Sequence, residues 1–142
     1  MDIKTKALLR SLWVFHVSNA SCNNCDIEAL DCFCPRYDVE RFGITLIGSI
    51  RHADVLLCTG MVNKKNIDRL KKLYEQAPKP CVVVAVGTCA TSQGQYIGTY
   101  NAALPYDKII PVDVYIPGCP PKPEAIIAGI VKAVEKIRGT RK

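Results

Sequence analysis

Aromatic side chains are scarce in this chain: they make up 7% of its 142 residues, with a single tryptophan. No basic stripe is interleaved with them and no recognition motif for nucleic acid occurs, so nucleic acid is not an expected partner. No apolar run approaches the roughly 20 residues that span a bilayer. The opening MDIKTKALLRSLWVFHV has basic residues but neither a long apolar stretch nor a small-residue cleavage site, so no secretory signal is expected. Internal repeats and linker-like segments are missing too, which makes one domain the simplest organisation. A chain of this length buries roughly 70% of the surface its unfolded form exposes, and it needs no disulfides to do so. Hydrophobic residues at 49% against 23% charged exclude a disordered chain.

Positive charge and cysteine are in excess. Residues 11–135 hold 12 basic and 12 acidic side chains, so the net charge of +6 belongs to the ends. The charge pattern divides the chain into a basic extension (1–10), a domain (11–138) and a basic tail (139–142). Such ends suit acidic partners or lipid headgroups. Eight cysteines occur. Without a secretory signal an intracellular setting is expected, where clustered thiols hold metal more often than they form disulfides.

Five short apolar, β-branched runs stand out: Leu12–Val17, Ile44–Ile47, Asp54–Thr59, Cys81–Val86 and Val112–Ile116. Several lack polar alternation, as strands buried on both faces of a parallel sheet do. Helical periodicity covers Lys64–Ala77, with Ile67, Leu70, Leu73, Tyr74 and Ala77 on one side and Asn63 as N-cap. A last helix begins near Pro123, with Ile126, Ile127, Ile130, Val131, Val134 and Ile137 as its apolar stripe. The alternation predicts an α/β fold, a flavodoxin-like doubly wound parallel sheet with strand order 2-1-3-4-5. Thr91–Lys108 is polar, aperiodic and glycine-containing, and reads as a long surface loop of the kind that serves function or a partner.

On this scheme the cysteines separate. Cys22 and Cys25 follow the first strand, Cys89 in GTCA follows the fourth, and Cys119 in PGCPP follows the fifth. All four lie beyond the carboxyl ends of predicted parallel strands, the edge where open α/β sheets build their sites. Four thiolates gathered there suit a 4Fe-4S cluster or a structural zinc. One close pair with two distant single ligands favours the cluster, since four-cysteine zinc sites more often come as two close pairs. Gly87 and Gly118 allow close backbone approach. Cys25 begins a helix, whose positive end favours a thiolate. Cys58 and Cys81 lie in apolar runs and read as small core residues. Cys32 and Cys34, one residue apart, read as structural, with a second metal or a redox pair as the alternative.

At these residues the chain resembles a known family. SCNNCDIE, PRYDVERFG, GTCA and PVDVYIPGCPPKPEAI, in that order, are similar to the small subunit of group 4, membrane-bound, energy-converting NiFe hydrogenases, related to the complex I subunit that carries its terminal cluster. The resemblance runs from about Leu12 to Ile137. It implies that Cys22, Cys25, Cys89 and Cys119 bind one proximal 4Fe-4S cluster. That cluster would relay electrons between a ferredoxin-like polyferredoxin subunit and the NiFe site of a separate large subunit. It also implies membrane arm subunits as partners, coupling to ion translocation, and a place at the cytoplasmic face of the membrane. The two residues between Cys22 and Cys25 match the hydrogenase branch, since the complex I subunit typically has adjacent cysteines there. With the chain stopping soon after its last helix, one cluster is expected. The alternatives are the equivalent subunit of a quinone-reducing or sulfur-reducing complex without NiFe chemistry, and a zinc-stabilised interaction module. With four thiolates around a core of about +2, the neutral body would gain about −2.

Glu28, in the first turn of the ligand-bearing helix, is the candidate for proton transfer, although the helix dipole alone would account for a carboxylate there. Asp26 reads as a cap or solvated residue, and His16 as a core or interface histidine rather than a proton relay, since it has no local partner. Arg36, Asp38, Glu40 and Arg41 read as partner-facing or intrachain ion pairs. Pro120, Pro121 and Pro123 stiffen the loop of Cys119 and start the last helix.

Overall fold

The computed structural model describes residues 11–139, with side chains described through residue 136. The basic extension, residues 140–142 and the side chain of Ile137 lie outside the described residues. Strands β1 (Leu12–Ser18), β2 (Ile44–Leu46), β3 (Val55–Thr59), β4 (Val82–Val86) and β5 (Val114–Ile116) form one parallel sheet in the order β2-β1-β3-β4-β5. This is the expected doubly wound α/β arrangement. Its parallel strands are joined by crossovers that carry helices α1 (Asn24–Asp31), α2 (Ile67–Gln76), α3 (Thr88–Ser92) and, after β5, α4 (Pro123–Gly139).

The two-residue period of a strand sorts the core onto two faces. Leu12, Val14, Val55, Leu57, Val84 and Val86 meet Ala29 of α1 and Ile126, Ile130 and Ala133 of α4. Leu56, Cys58, Val83 and Ala85 face the other way, onto Leu70 of α2, Ala90 of α3 and Tyr106. Each fully buried Val or Leu stabilises the fold by about 1.5–3 kcal/mol relative to leaving it exposed.

Three expectations are corrected. Helix α2 starts at Ile67 rather than Lys64, because Asn63 builds a turn instead of a cap. Its carbonyl and its side-chain oxygen both accept from the Asn66 N–H, at 3.0 and 2.9 Å. On α4, Val131 is 50% exposed; at about 100° per residue it lies about 140° round from Ile126 and misses the buried stripe. The segment 91–108 is not all surface. Ala102 bridges Asn63, the Ala103 N–H bonds the Val62 carbonyl at 2.9 Å, and Tyr106 is buried at 1% exposure. Ile97, Tyr100 and Leu104 of the same segment do face solvent.

Candidate functional site

The carboxyl ends of β1, β4 and β5 open onto three short loops. Beyond β1 the chain turns at once: Asn19 donates to the Thr59 carbonyl at 3.2 Å, Ala20 bridges Met61, and the Asn23 N–H bonds Ser21 Oγ at 3.1 Å. Asn23 takes the left-handed conformation, φ 73°, which Asn tolerates better than most side chains. Helix α1 then starts with Cys25 in its first turn, while Cys22 stays exposed on the loop before it.

The other two loops are tied together. The Gly87 N–H bonds the Ile116 carbonyl at 2.8 Å, and Thr88 gives both its N–H (2.8 Å) and its hydroxyl (3.0 Å) to the Gly118 carbonyl. Cys89 and Cys119 are therefore carried by loops held in fixed relation. Gly87 is where they meet the first loop. At φ +87° a Cβ on it would stand 2.5 Å from Cys25 Sγ and 3.5 Å from the Gly118 oxygen, so only glycine leaves that thiol its place.

The thiols feel one another. Burial, then Cys89, Cys22 and Cys119, push the Cys25 thiol up to about 11. Burial, then Cys119 and Cys22, also raise Cys89. The expected preference of the helix start for a Cys25 thiolate is thus outweighed in the metal-free chain. A bound cation would reverse this, because metal ligation takes the protons from such thiols. Among the described residues no group of three or more His, Cys, Asp or Glu side chains is already arranged to hold a metal ion. The donor set itself is soft, as iron–sulfur clusters and zinc require.

Other expected residues fall differently. Cys58 is wholly buried in the core, and Cys81, just before β4, is half-buried. Cys32 and Cys34 do not form a pair. Cys32 is 1% exposed and its thiol donates to the Glu28 and Pro123 carbonyls at 3.5 and 3.7 Å, joining α1 to α4, while Cys34 faces solvent. Glu28 is half-buried, and its side chain makes no hydrogen bond or ion pair among the described residues. No ion pair joins Arg36, Asp38, Glu40 and Arg41 among the described residues either; Arg36 lies over the Tyr37 ring and Arg41 over Phe42.

Asp26 overturns its expectation, and His16 departs from its own in having a partner. Asp26 is neither cap nor solvated but 8% exposed, accepting hydrogen bonds from the Thr59 and Ser18 hydroxyls, the latter at 3.1 Å. His16 has the partner it was expected to lack: its Nε2 stands 3.0 Å from Asp26 Oδ1 and 3.0 Å from Thr59 Oγ1. Burial opposes charge on Asp26, but the Thr59 and Ser21 hydroxyls, then His16 and Ser18, outweigh it and hold the carboxyl below its ordinary range. Tyr106 completes the group by donating to the Thr59 carbonyl at 3.0 Å and accepting from the Asn19 amide. The signal for these residues is in β1. His16 and Ser18 are polar side chains two apart, hence on one face, at the end of an apolar strand.

Comparison with known proteins follows the same geometry. The family described as NADH ubiquinone oxidoreductase, 20 Kd subunit, matches residues 22–133. The chain is 52% identical, over 93% of its length and 79% of the relative's, to a probable membrane-bound hydrogenase subunit, mbhJ, of Pyrococcus furiosus. It is 45% identical, over 99% of its length and 74% of the relative's, to one of the subunits of the F420H2 dehydrogenase of Methanosarcina mazei. Among solved structures, a chain of an archaeal membrane-bound sulfane sulfur reductase superposes with a TM-score of 0.85 at 43% identity, covering 98% of this chain and 77% of that one.

Proposed function

Since the chain belongs to the family of the 20 kDa subunit of NADH ubiquinone oxidoreductase, we propose that it is the electron-transfer subunit of a membrane-bound NiFe hydrogenase complex. Cys22, Cys25, Cys89 and Cys119 hold one 4Fe-4S cluster in this reading, and residues 11–138 form the domain that carries it. The observation that carries the assignment is the convergence of these four thiols, from three loops, at one edge of the sheet. Gly87 leaves Cys25 Sγ the space a Cβ would take, so the residues present fit the group.

When bound, the cluster supplies one-electron redox capacity. The chain's own residues do the rest. Thr88 and Gly118 hold two ligand loops in register, Cys25 brings the third, and the burial of Cys25 limits water at that ligand. Electrons would pass between a ferredoxin-like polyferredoxin subunit and a large subunit with the NiFe site, in a complex that moves ions across the membrane. No helix among the described residues is long and apolar enough to cross a membrane. Attachment at the cytoplasmic face would come through membrane arm subunits and the basic ends. Glu28, half-buried one turn beyond Cys25, is the candidate for moving protons there.

The likeness to the sulfane sulfur reductase chain favours a second reading, the same cluster subunit in a complex without NiFe chemistry. Two measurements test these. Anaerobically purified chain should contain iron and sulfide, with a broad visible absorption that bleaches on reduction; zinc without iron or sulfide would overturn both readings. The purified complex should evolve hydrogen, and its large subunit should carry the four cysteines that ligate nickel. Their absence would select the second reading.

A further inference from the structure

Asp26 and Thr59 are the two buried polar or charged residues among the described side chains, and they are bonded to each other. Asp26 follows Cys25 directly in the first turn of α1, whereas Thr59 and Ser18 close β3 and β1. The carboxylate therefore ties the turn that carries a ligand to the ends of two adjacent strands. The proton arrangement can be read from the geometry. Thr59 gives its hydroxyl hydrogen to Asp26, so its oxygen is left to accept, and the nearby Nε2 of His16 must be the protonated nitrogen that faces both. Tyr106 and Asn19 close the group, Tyr106 from the 91–108 segment, by binding the Thr59 carbonyl and each other. No buried side-chain nitrogen or oxygen among the described residues is left without a partner, as a carboxylate withdrawn from water requires.

We propose that Asp26 is a positioning residue for the cluster: it fixes the ligand-bearing turn on β1 and β3 and keeps a negative charge beside the cluster that lowers its reduction potential. The inference rests on the cluster reading above. Asp26 is next to Cys25 in the same helical turn, and the Thr59 and Ser18 hydroxyls that donate to its carboxylate hold that anion one residue from a ligand. A fixed anion disfavours an added electron by simple Coulomb repulsion, and partial burial weakens the screening.

The test uses the full chain loaded with iron and sulfide. Asp26→Asn keeps the shape and removes the charge, so the cluster should assemble with its midpoint moved to more positive potential in an EPR-monitored redox titration. Thr59→Val removes the hydroxyl and keeps the charge. Its potential should move less, while amide exchange of residues 24–31 in the metal-free chain should quicken by up to about tenfold, the loss of roughly one net hydrogen bond. Asp26→Asn with the wild-type potential would overturn the electrostatic role, and Thr59→Val with wild-type exchange would overturn the positioning role. If Asp26→Asn fails to fold, Ser18→Ala with the same exchange readout decides the positioning role. A wild-type chain without iron or sulfide would instead sink the cluster reading, and this inference with it. A loaded wild type beside unresponsive variants would remove the inference alone.

Discussion

Cys58 and Cys25 carry the same side chain, both are buried, and burial is the first cause that raises each thiol, yet their surroundings separate them. Cys58 sits mid-sheet among Leu56, Val83 and Ala85, with Cys81 as the one thiol that influences it. Cys25 sits at the sheet edge, where Cys89, Cys22, Cys119 and Asp26 all act on it. Burial alone therefore does not mark a ligand. What marks it is the company of other ionisable groups brought by separate loops, because a core strand supplies only apolar neighbours and a loop junction can supply four thiols.

The largest effect expected from this contrast is on metal content. Cys119→Ser, on an exposed loop with little packing to lose, should strip most of the iron and sulfide from the anaerobically prepared chain. Cys58→Ala should leave metal content at the wild-type level and cost about 1–3 kcal/mol in denaturant unfolding, the scale of a small core truncation. Loss of iron from Cys58→Ala with native stability would break the comparison at its centre.

The next effect is a pH dependence. Burial first, then nearby acidic groups, push the Cys32 thiol from its ordinary 9.0 up to about 11. A thiol raised in the folded state holds its proton there after the unfolded chain has lost it. Stability from this source is thus full below pH 9 and falls as pH rises toward about 11, by up to about 3 kcal/mol. Denaturation of the metal-free chain across that range should show the fall, and Cys32→Ala should flatten part of it. An unchanged slope in Cys32→Ala would show that the edge thiols, chiefly Cys25, account for all of it.

Much of this architecture was legible because parallel strands buried on both faces write continuous apolar runs. Val55–Thr59 and Val82–Val86 are such runs, and they pair in parallel as neighbours within the sheet. The edge position of Cys22, Cys25, Cys89 and Cys119 was legible for the same reason, since each follows a strand. The Asp26 group was not. Its partner Thr59 lies 33 residues away on β3 and His16 lies on β1; the polar pair His16 and Ser18 marks one face of β1, but nothing local identifies Asp26 as the group that it meets. The start of α2 was missed on similar grounds: Asn63 and Lys64 are engaged by Ala102 and Asn101, residues of a distant loop that outcompetes the local helix signal.

The smallest effect belongs to Cys34, and it is the sharpest control on the comparison. Cys34 is exposed, as Cys22 and Cys119 are, and it lies one residue from buried Cys32. Its thiol lies 3.7 Å from an Asp31 carboxylate oxygen at the surface, and the causes that raise Cys25 and Cys89 do not include it. If company rather than exposure marks a ligand, Cys34→Ala should leave iron and sulfide unchanged and shift stability by no more than about 0.5 kcal/mol, as surface changes away from special features do. It should also remove one fast-reacting thiol from the loaded chain in an alkylation count. A drop in iron on Cys34→Ala would mean that an exposed thiol outside the loop junction contributes to the centre, and the line drawn between Cys25 and Cys58 would have to be redrawn around the 32–34 turn.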